Sequence, residues 1–79
     1  MNEFIATFYT HAGAIVGKRD LAQRGIAAKM MPVPRSLSSS CGTCVRYEAD
    51  SLCEDAFAKD LEAIYEASEK GYVRRVERS

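Results

Sequence analysis

The chain has little that would direct it to a membrane or to a polyanion. Its 79 residues contain eleven Lys and Arg against eleven Asp and Glu, so the formal net charge is zero and no long-range field attracts nucleic acid. No apolar run approaches the roughly 20 residues that span a bilayer. The N-terminus also lacks the basic and then apolar segments of a signal peptide. We therefore expect a cytoplasmic protein with neither a membrane nor a nucleic-acid partner.

Cysteine and histidine are scarce as well. The three cysteines are an odd number, whereas a small secreted domain normally carries an even disulfide framework, so we expect reduced thiols. One Cys-x-x-Cys, a distant Cys53 and the single His11 are a poor set for a tetrahedral zinc site. We predict no metal and no cofactor. Cys53 is interpreted as a small apolar residue and His11 as a surface residue.

The length predicts a single domain over residues 1–79 with a small core. In the first half, residues 4–9 ("FIATFY") are β-branched and aromatic, which is typical of a strand. Thr10 is suited to cap a helix that ends at Gly25. Residues 26–33 ("IAAKMMPV") predict a second strand. The first half is therefore expected to be β-α-β.

In the second half, residues 43–48 alternate between an apolar and a polar side, as a third strand would. Residues 51–54 have the spacing of a capping box and open a predicted second helix that ends at Gly71. An i, i+4 apolar stripe runs through it, made of Cys53, Phe57, Leu61 and Ile64. Residues 72–78 predict a charged edge strand. The order β-α-β-β-α-β predicts a ferredoxin-like α+β sandwich, with a four-stranded antiparallel sheet and two helices on one face.

The loop between the second and third strands, "MPVPRSLSSSCGTCVRYE" in its sequence context, carries the most distinctive chemistry. A thiolate or persulfide is an anion that needs amide hydrogens or cations near neutral pH. The serines at 38–40 and Cys41-Gly42 can curl so that backbone N–H groups converge, and Gly42 permits a positive φ. Cys41 is therefore the candidate nucleophile and Cys44, on the open sheet face, its candidate neighbour.

Positive charge could support that anion. Arg35 lies on the loop, and Lys29 and Arg46 lie on the open face of the predicted sheet. The candidate anion-stabilising residues are Arg35, Ser39, Ser40, Gly42 and Arg46. The serines equally fit simple turn formers, and the arginines equally fit a solvated surface.

The same segment resembles a known family. The stretch "PVPRSLSSSCG" followed by "VRY", with a helix that ends in "GI" before it, is similar to a small bacterial family of selenium/sulfur carrier-like proteins, a domain of unknown function. The resemblance covers nearly the whole chain. It implies a carrier or accessory protein, more than a stand-alone enzyme, that moves reduced sulfur or selenium between donor and acceptor proteins. Cys41 matches the family's cysteine, while Cys44 leaves open whether a disulfide takes part.

Two alternatives stay open at this point. A thioredoxin-type redox role places its first cysteine at a helix N-terminus, whereas this Cys-Gly-Thr-Cys leads into a strand. A non-catalytic binding module is the stronger competitor, since an open face with Met31, Cys44 and Arg46 could hold a small ligand or a protein. Pairing of the last strand with a second copy, which would give a homodimer, is also left open.

Overall fold

In the computed structural model, the described residues are 2–37, 39–57 and 60–77. The elements are β1 (Asn2–Phe8), α1 (His11–Gln23), β2 (Ala28–Pro32), β3 (Thr43–Ala49), a 3₁₀ turn (Glu54–Ala56), β4 (Leu61–Ser68) and β5 (Gly71–Glu77). The strands form one sheet in the order β2-β3-β1-β4-β5, and every neighbouring pair is antiparallel. Within the described part of the chain, no helix has the length and apolar character that crossing a bilayer requires.

The first half of the chain follows the predicted pattern. β1, α1 and β2 lie where the sequence places them, and the Thr10 side chain caps α1 by accepting a hydrogen bond from the Gly13 N–H. Gly25 follows the helix with φ +78°, which lets the chain turn towards β2. β3 and β5 also agree with the predicted third and last strands, and β5 lies at a sheet edge. Residue 78 of the predicted last strand lies outside the described residues.

The predicted ferredoxin-like fold is wrong in the second half. The sheet has five strands instead of four, and α1 is the one helix longer than a single turn among the described residues. Where the second helix was predicted, the structure has the 3₁₀ turn and then β4. Residues 58 and 59 of that predicted helix lie outside the described residues. The class remains α+β, but the βαββαβ pattern does not fit.

Two backbone features and one pairing requirement explain the correction. Cys53 and Asp60 have φ values of 56° and 58°, in the left-handed region that no continuous right-handed helix can contain. β1 is buried along residues 4–8, and its edge opposite β3 needs a hydrogen-bonded partner. β4 supplies that partner, so sheet pairing overrides the helical preference of Leu, Glu and Ala in "LEAIYEAS".

The main core lies on the sheet face that carries α1. β3 and β4 flank β1 on its two sides, so the segment between them crosses over β1 on this face. It places Phe57, which is 1% exposed, edge-on to Phe8 with ring centroids 5.5 Å apart, and against Tyr47 at 5.6 Å. The Tyr47 hydroxyl donates a hydrogen bond to the Leu52 carbonyl, which holds the start of the segment between β3 and β4 against the core.

Candidate functional site

The Cys41 loop, residues 33–42, joins β2 to β3 and is closed at its base. The Val33 N–H donates to the Gly42 carbonyl at 3.2 Å, which extends the β2–β3 ladder by one pair. Gly42 has φ +74°, as the sequence predicted, and this conformation favours glycine. The Leu37 N–H closes a turn on the Pro34 carbonyl at 3.0 Å. Ser38 lies outside the described residues.

Two serines anchor the Cys41 loop across the end of the sheet. The Ser39 hydroxyl donates to the Phe8 carbonyl at 3.2 Å. The Ser40 N–H and hydroxyl donate to the two carboxylate oxygens of Glu62, each at 3.1 Å. Glu62 is the extra residue of a β-bulge, because Phe8 pairs with Leu61 while Thr7 pairs with Ala63. The Ser40 amide, expected to face a sulfur anion, therefore holds a carboxylate of the same chain.

Cys41 itself is half-buried and packs against the core on the helix-bearing face. Its Sγ donates to the Thr43 carbonyl at 3.4 Å and lies 4.0 Å from the Ser39 Oγ. These are its hydrogen-bonding contacts within the described residues, so a guanidinium or an amide N–H is not among them. The Cys41 sulfur thus lies between a carbonyl acceptor and a serine hydroxyl.

The fold brings His11 to this site, which the sequence interpretation missed. His11 is the first residue of α1, and its Nδ1 lies 3.4 Å from the Thr43 Oγ1. Thr43 therefore contacts the Cys41 sulfur through its carbonyl and the imidazole through its side chain. Only knowledge that β3 lies beside β1 would have placed the start of α1 next to the start of β3.

Asp60 is a second residue that the sequence did not single out. The Thr10 hydroxyl donates to Asp60 Oδ2 at 2.7 Å while accepting from the Gly13 N–H at 3.0 Å. The Tyr9 N–H donates to the Asp60 carbonyl at 2.8 Å. The helix cap is thereby tied to the start of β4, and the Asp60 and Glu62 carboxylates both lie at the end of the sheet that holds Cys41.

Cys44 lies on the opposite face of the sheet from Cys41. It pairs with Thr7 and Met31 in neighbouring strands, is 0% exposed, and donates from Sγ to the Pro32 carbonyl at 3.7 Å. Burial, with a smaller contribution from Cys41, raises the pKa of the Cys44 thiol from 9.0 to about 11. All three cysteines are free in this structure. Cys44 is therefore a protonated, enclosed thiol at neutral pH.

This burial predicts a loss of stability at alkaline pH. The folded chain holds the Cys44 proton to higher pH than the unfolded chain, so the stabilisation is complete below pH 9 and is lost as pH rises to about 11. Across that window the free energy of unfolding should fall by up to about 1.4 kcal/mol per pH unit. Urea unfolding of wild type and Cys44→Ala across this range measures the effect. The alanine variant should show a shallower fall, and parallel curves would contradict the prediction.

The two candidate arginines are placed differently from each other. Arg46 lies on the face opposite Cys41, where its Nε and Nη2 donate to the Glu3 carboxylate at 2.8 and 2.9 Å. This pair lowers the pKa of Glu3 and raises that of Arg46. Arg35 is exposed in the turn of the Cys41 loop. The structure thus gathers Ser39, Ser40 and Gly42 beside Cys41 and leaves Arg46 on the other side of the sheet.

A separate groove of about 700 Å³ lies at the other end of β3. Most of its surface is apolar, and Cys53 also borders it. The charged residues of its lining are Lys29, Arg46, Glu48 and Asp50. Among the described residues, no group of three or more His, Cys, Asp or Glu side chains is placed to hold a metal ion.

Comparison with known proteins places the chain in a family. A family model described as "Putative Se/S carrier protein-like" matches residues 3–71, which include all of β1 except its first residue, α1, β2 to β4 and the whole Cys41 loop. The chain belongs to this family. Searches of curated proteins and of solved structures give no match. The Se/S carrier-like family therefore has a representative here whose sheet has five strands and whose Cys41 lies on an anchored loop.

Proposed function

We propose that this protein carries reduced sulfur or selenium as a persulfide or perselenide on Cys41. The observation that carries the proposal is the position of Cys41: a half-buried thiol in a loop that Ser39 and Ser40 anchor to the sheet. Membership in the Se/S carrier-like family supports the same class of cargo. Donor and acceptor proteins are the implied partners.

The proposed transfer consists of two thiol–persulfide exchanges. The Cys41 thiolate attacks the outer sulfur of a donor persulfide, a new S–S bond forms on Cys41, and the donor leaves as its thiolate. An acceptor thiolate then attacks the outer sulfur on Cys41 and releases the Cys41 thiolate. A selenium atom in the outer position follows the same course. Each exchange is neutral in electrons and needs no oxidant or reductant.

The surroundings of Cys41 suggest which groups would stabilise the loaded anion. As a thiol, Cys41 donates to the Thr43 carbonyl, and this contact is lost when the sulfur is charged. The Ser39 hydroxyl, 4.0 Å from Sγ, can then rotate from the Phe8 carbonyl and donate to the sulfur. Arg35 and the Gly42 amide remain proposed contributors on the same loop, and the Ser40 amide would contribute only if it left the Glu62 carboxylate. A role for Cys44 would require the opposite face of the sheet to open, so the proposed step uses Cys41 alone.

Loading by a cysteine desulfurase tests the proposal. The protein is incubated with the desulfurase and cysteine, and its intact mass is measured without reductant. Wild type should gain the mass of sulfur and Cys41→Ala should gain none. Cys53→Ala is the matched control, because Cys53 is also half-buried yet lies outside the Cys41 loop, and it should load like wild type. Failure of wild type to load, or equal loading of Cys41→Ala, would refute the carrier function.

The groove at the other end of β3 favours one alternative, a non-catalytic module that binds a small ligand. The groove lies at the opposite end of β3 from Cys41, and residue 41 is not part of its lining. A ligand in the groove would therefore bind Cys41→Ser as well as wild type. The carrier function predicts instead that every transfer is lost when residue 41 has no thiol.

A further inference from the structure

The end of the sheet that holds Cys41 has an unfavourable charge balance for a sulfur anion. Asp60 and Glu62 both place carboxylates there. The Ser40 amide, expected to face the sulfur, donates instead to the Glu62 carboxylate, and the Thr10 hydroxyl donates to Asp60. A thiolate or persulfide on Cys41 would therefore add a third negative charge, which a nearby cation must offset.

The fold removes one candidate for that cation, Arg46, and brings another, His11, close to Cys41. Arg46 is on the opposite face and is paired with Glu3 at 2.8 Å. His11 is on the same face as Cys41, and Thr43 contacts both residues, with 3.4 Å to the imidazole Nδ1 and 3.4 Å to the sulfur. Histidine is also the side chain whose charge changes near neutral pH. Its exposed position leaves the ring free to turn towards a charged sulfur.

We propose that His11 is a positioning residue for Cys41, and that its imidazolium stabilises the sulfur anion across Thr43. This inference rests on the proposed function and deepens it, since it assigns the charge partner of the same thiol. At pH values where His11 is protonated, Cys41 should be more reactive than in a chain without that charge. The other charged groups at this end are Asp60, Glu62 and Arg35; carboxyl and guanidinium groups ordinarily titrate far from neutral pH.

Alkylation of Cys41 by iodoacetamide, followed by peptide mass as a function of pH, tests the inference. His11→Gln keeps a hydrogen-bonding side chain but carries no charge. It should slow alkylation near neutral pH by about three- to tenfold and shift the rate profile to higher pH. His11→Lys restores a cation and should recover most of the rate. Lys18→Gln is the matched control: it removes one exposed charge from α1, about 10 Å further along the helix axis, and should leave the profile unchanged.

Two results would overturn the inference. One is a His11→Gln profile that superimposes on those of wild type and Lys18→Gln. The other is equal slowing in His11→Gln and His11→Lys, which would assign His11 a merely structural contact. Alkylation needs no sulfur donor, so this test is independent of the carrier function. If wild type loads with sulfur but His11→Gln is alkylated at the wild-type rate, only the role of His11 is refuted. If His11→Gln is alkylated more slowly but wild type does not load, only the carrier function is refuted.

Discussion

Replacement of Phe57 by alanine is expected to lower the free energy of unfolding by about 3–5 kcal/mol. The ring is 1% exposed and packs against both Phe8 and Tyr47, so its removal leaves a cavity where the crossing segment meets the sheet. For a chain of this size, the loss is a large part of the total stability. Urea unfolding followed by circular dichroism measures it.

Ile15→Ala is the matched control for Phe57→Ala. It also shortens an apolar side chain, but Ile15 is 50% exposed on α1, and alanine favours the helix. Its unfolding midpoint should stay close to that of wild type. Equal midpoints for Phe57→Ala and Ile15→Ala would mean that the segment between β3 and β4 does not pack on the core as described.

The second large effect is expected for Gly17→Ala. In an ordinary helix this change stabilises by about 1 kcal/mol, but here the opposite sign is predicted. A Cβ at position 17 would lie 2.7 and 3.0 Å from ring carbons of Phe8 and 3.1 Å from a ring carbon of Phe57. Both rings are enclosed and cannot move freely, so we expect destabilisation of about 1–3 kcal/mol, measured by the shift of the urea midpoint.

A double-mutant cycle separates this contact from helix propensity. Leucine at position 8 is smaller than phenylalanine, so Gly17→Ala should cost less in a Phe8→Leu background than in wild type. The double mutant should therefore be more stable than the sum of the two single substitutions predicts, because the added methyl group then has room. A higher midpoint for Gly17→Ala in the wild-type background would show that α1 does not approach β1 as closely as the structure places it.

The elements that could be predicted are those whose local pattern and tertiary role agree. β1 is β-branched and aromatic, α1 has a cap at Thr10 and a stop at Gly25, and β3 alternates cleanly, with Val45 and Tyr47 in the core. β4 could not be identified in this way. Its apolar residues do not alternate strictly, because the bulge at Glu62 puts Leu61 and Ile64 on the same face of the sheet, and with Phe57 they fit a helical stripe. Only the unpaired edge of β1, a non-local requirement, decides between the two.

The residues of the candidate site also separate into those with a local sequence signal and those placed by tertiary packing. Cys41 and Gly42 could be found from the composition of the loop, because a glycine with positive φ and a flanking serine run are local signals. Glu62 could not, since its role depends on a β-bulge opposite Phe8. His11 depends on the packing of α1 beside the start of β3, so its contact with Thr43 has no signature in the spacing of the sequence.

The location of Cys41 and Cys44 on opposite faces of the sheet has a consequence for any cargo. In a dithiol site with both sulfurs together, the second thiolate attacks the inner sulfur of a persulfide, forms an internal disulfide and expels hydrosulfide. Here the two side chains lie on opposite faces of the sheet, and burial raises the pKa of the Cys44 thiol to about 11, so this thiol keeps its proton at neutral pH. If Cys41 carries sulfur as proposed, this arrangement would disfavour loss of the cargo as hydrosulfide and leave its removal to an acceptor molecule.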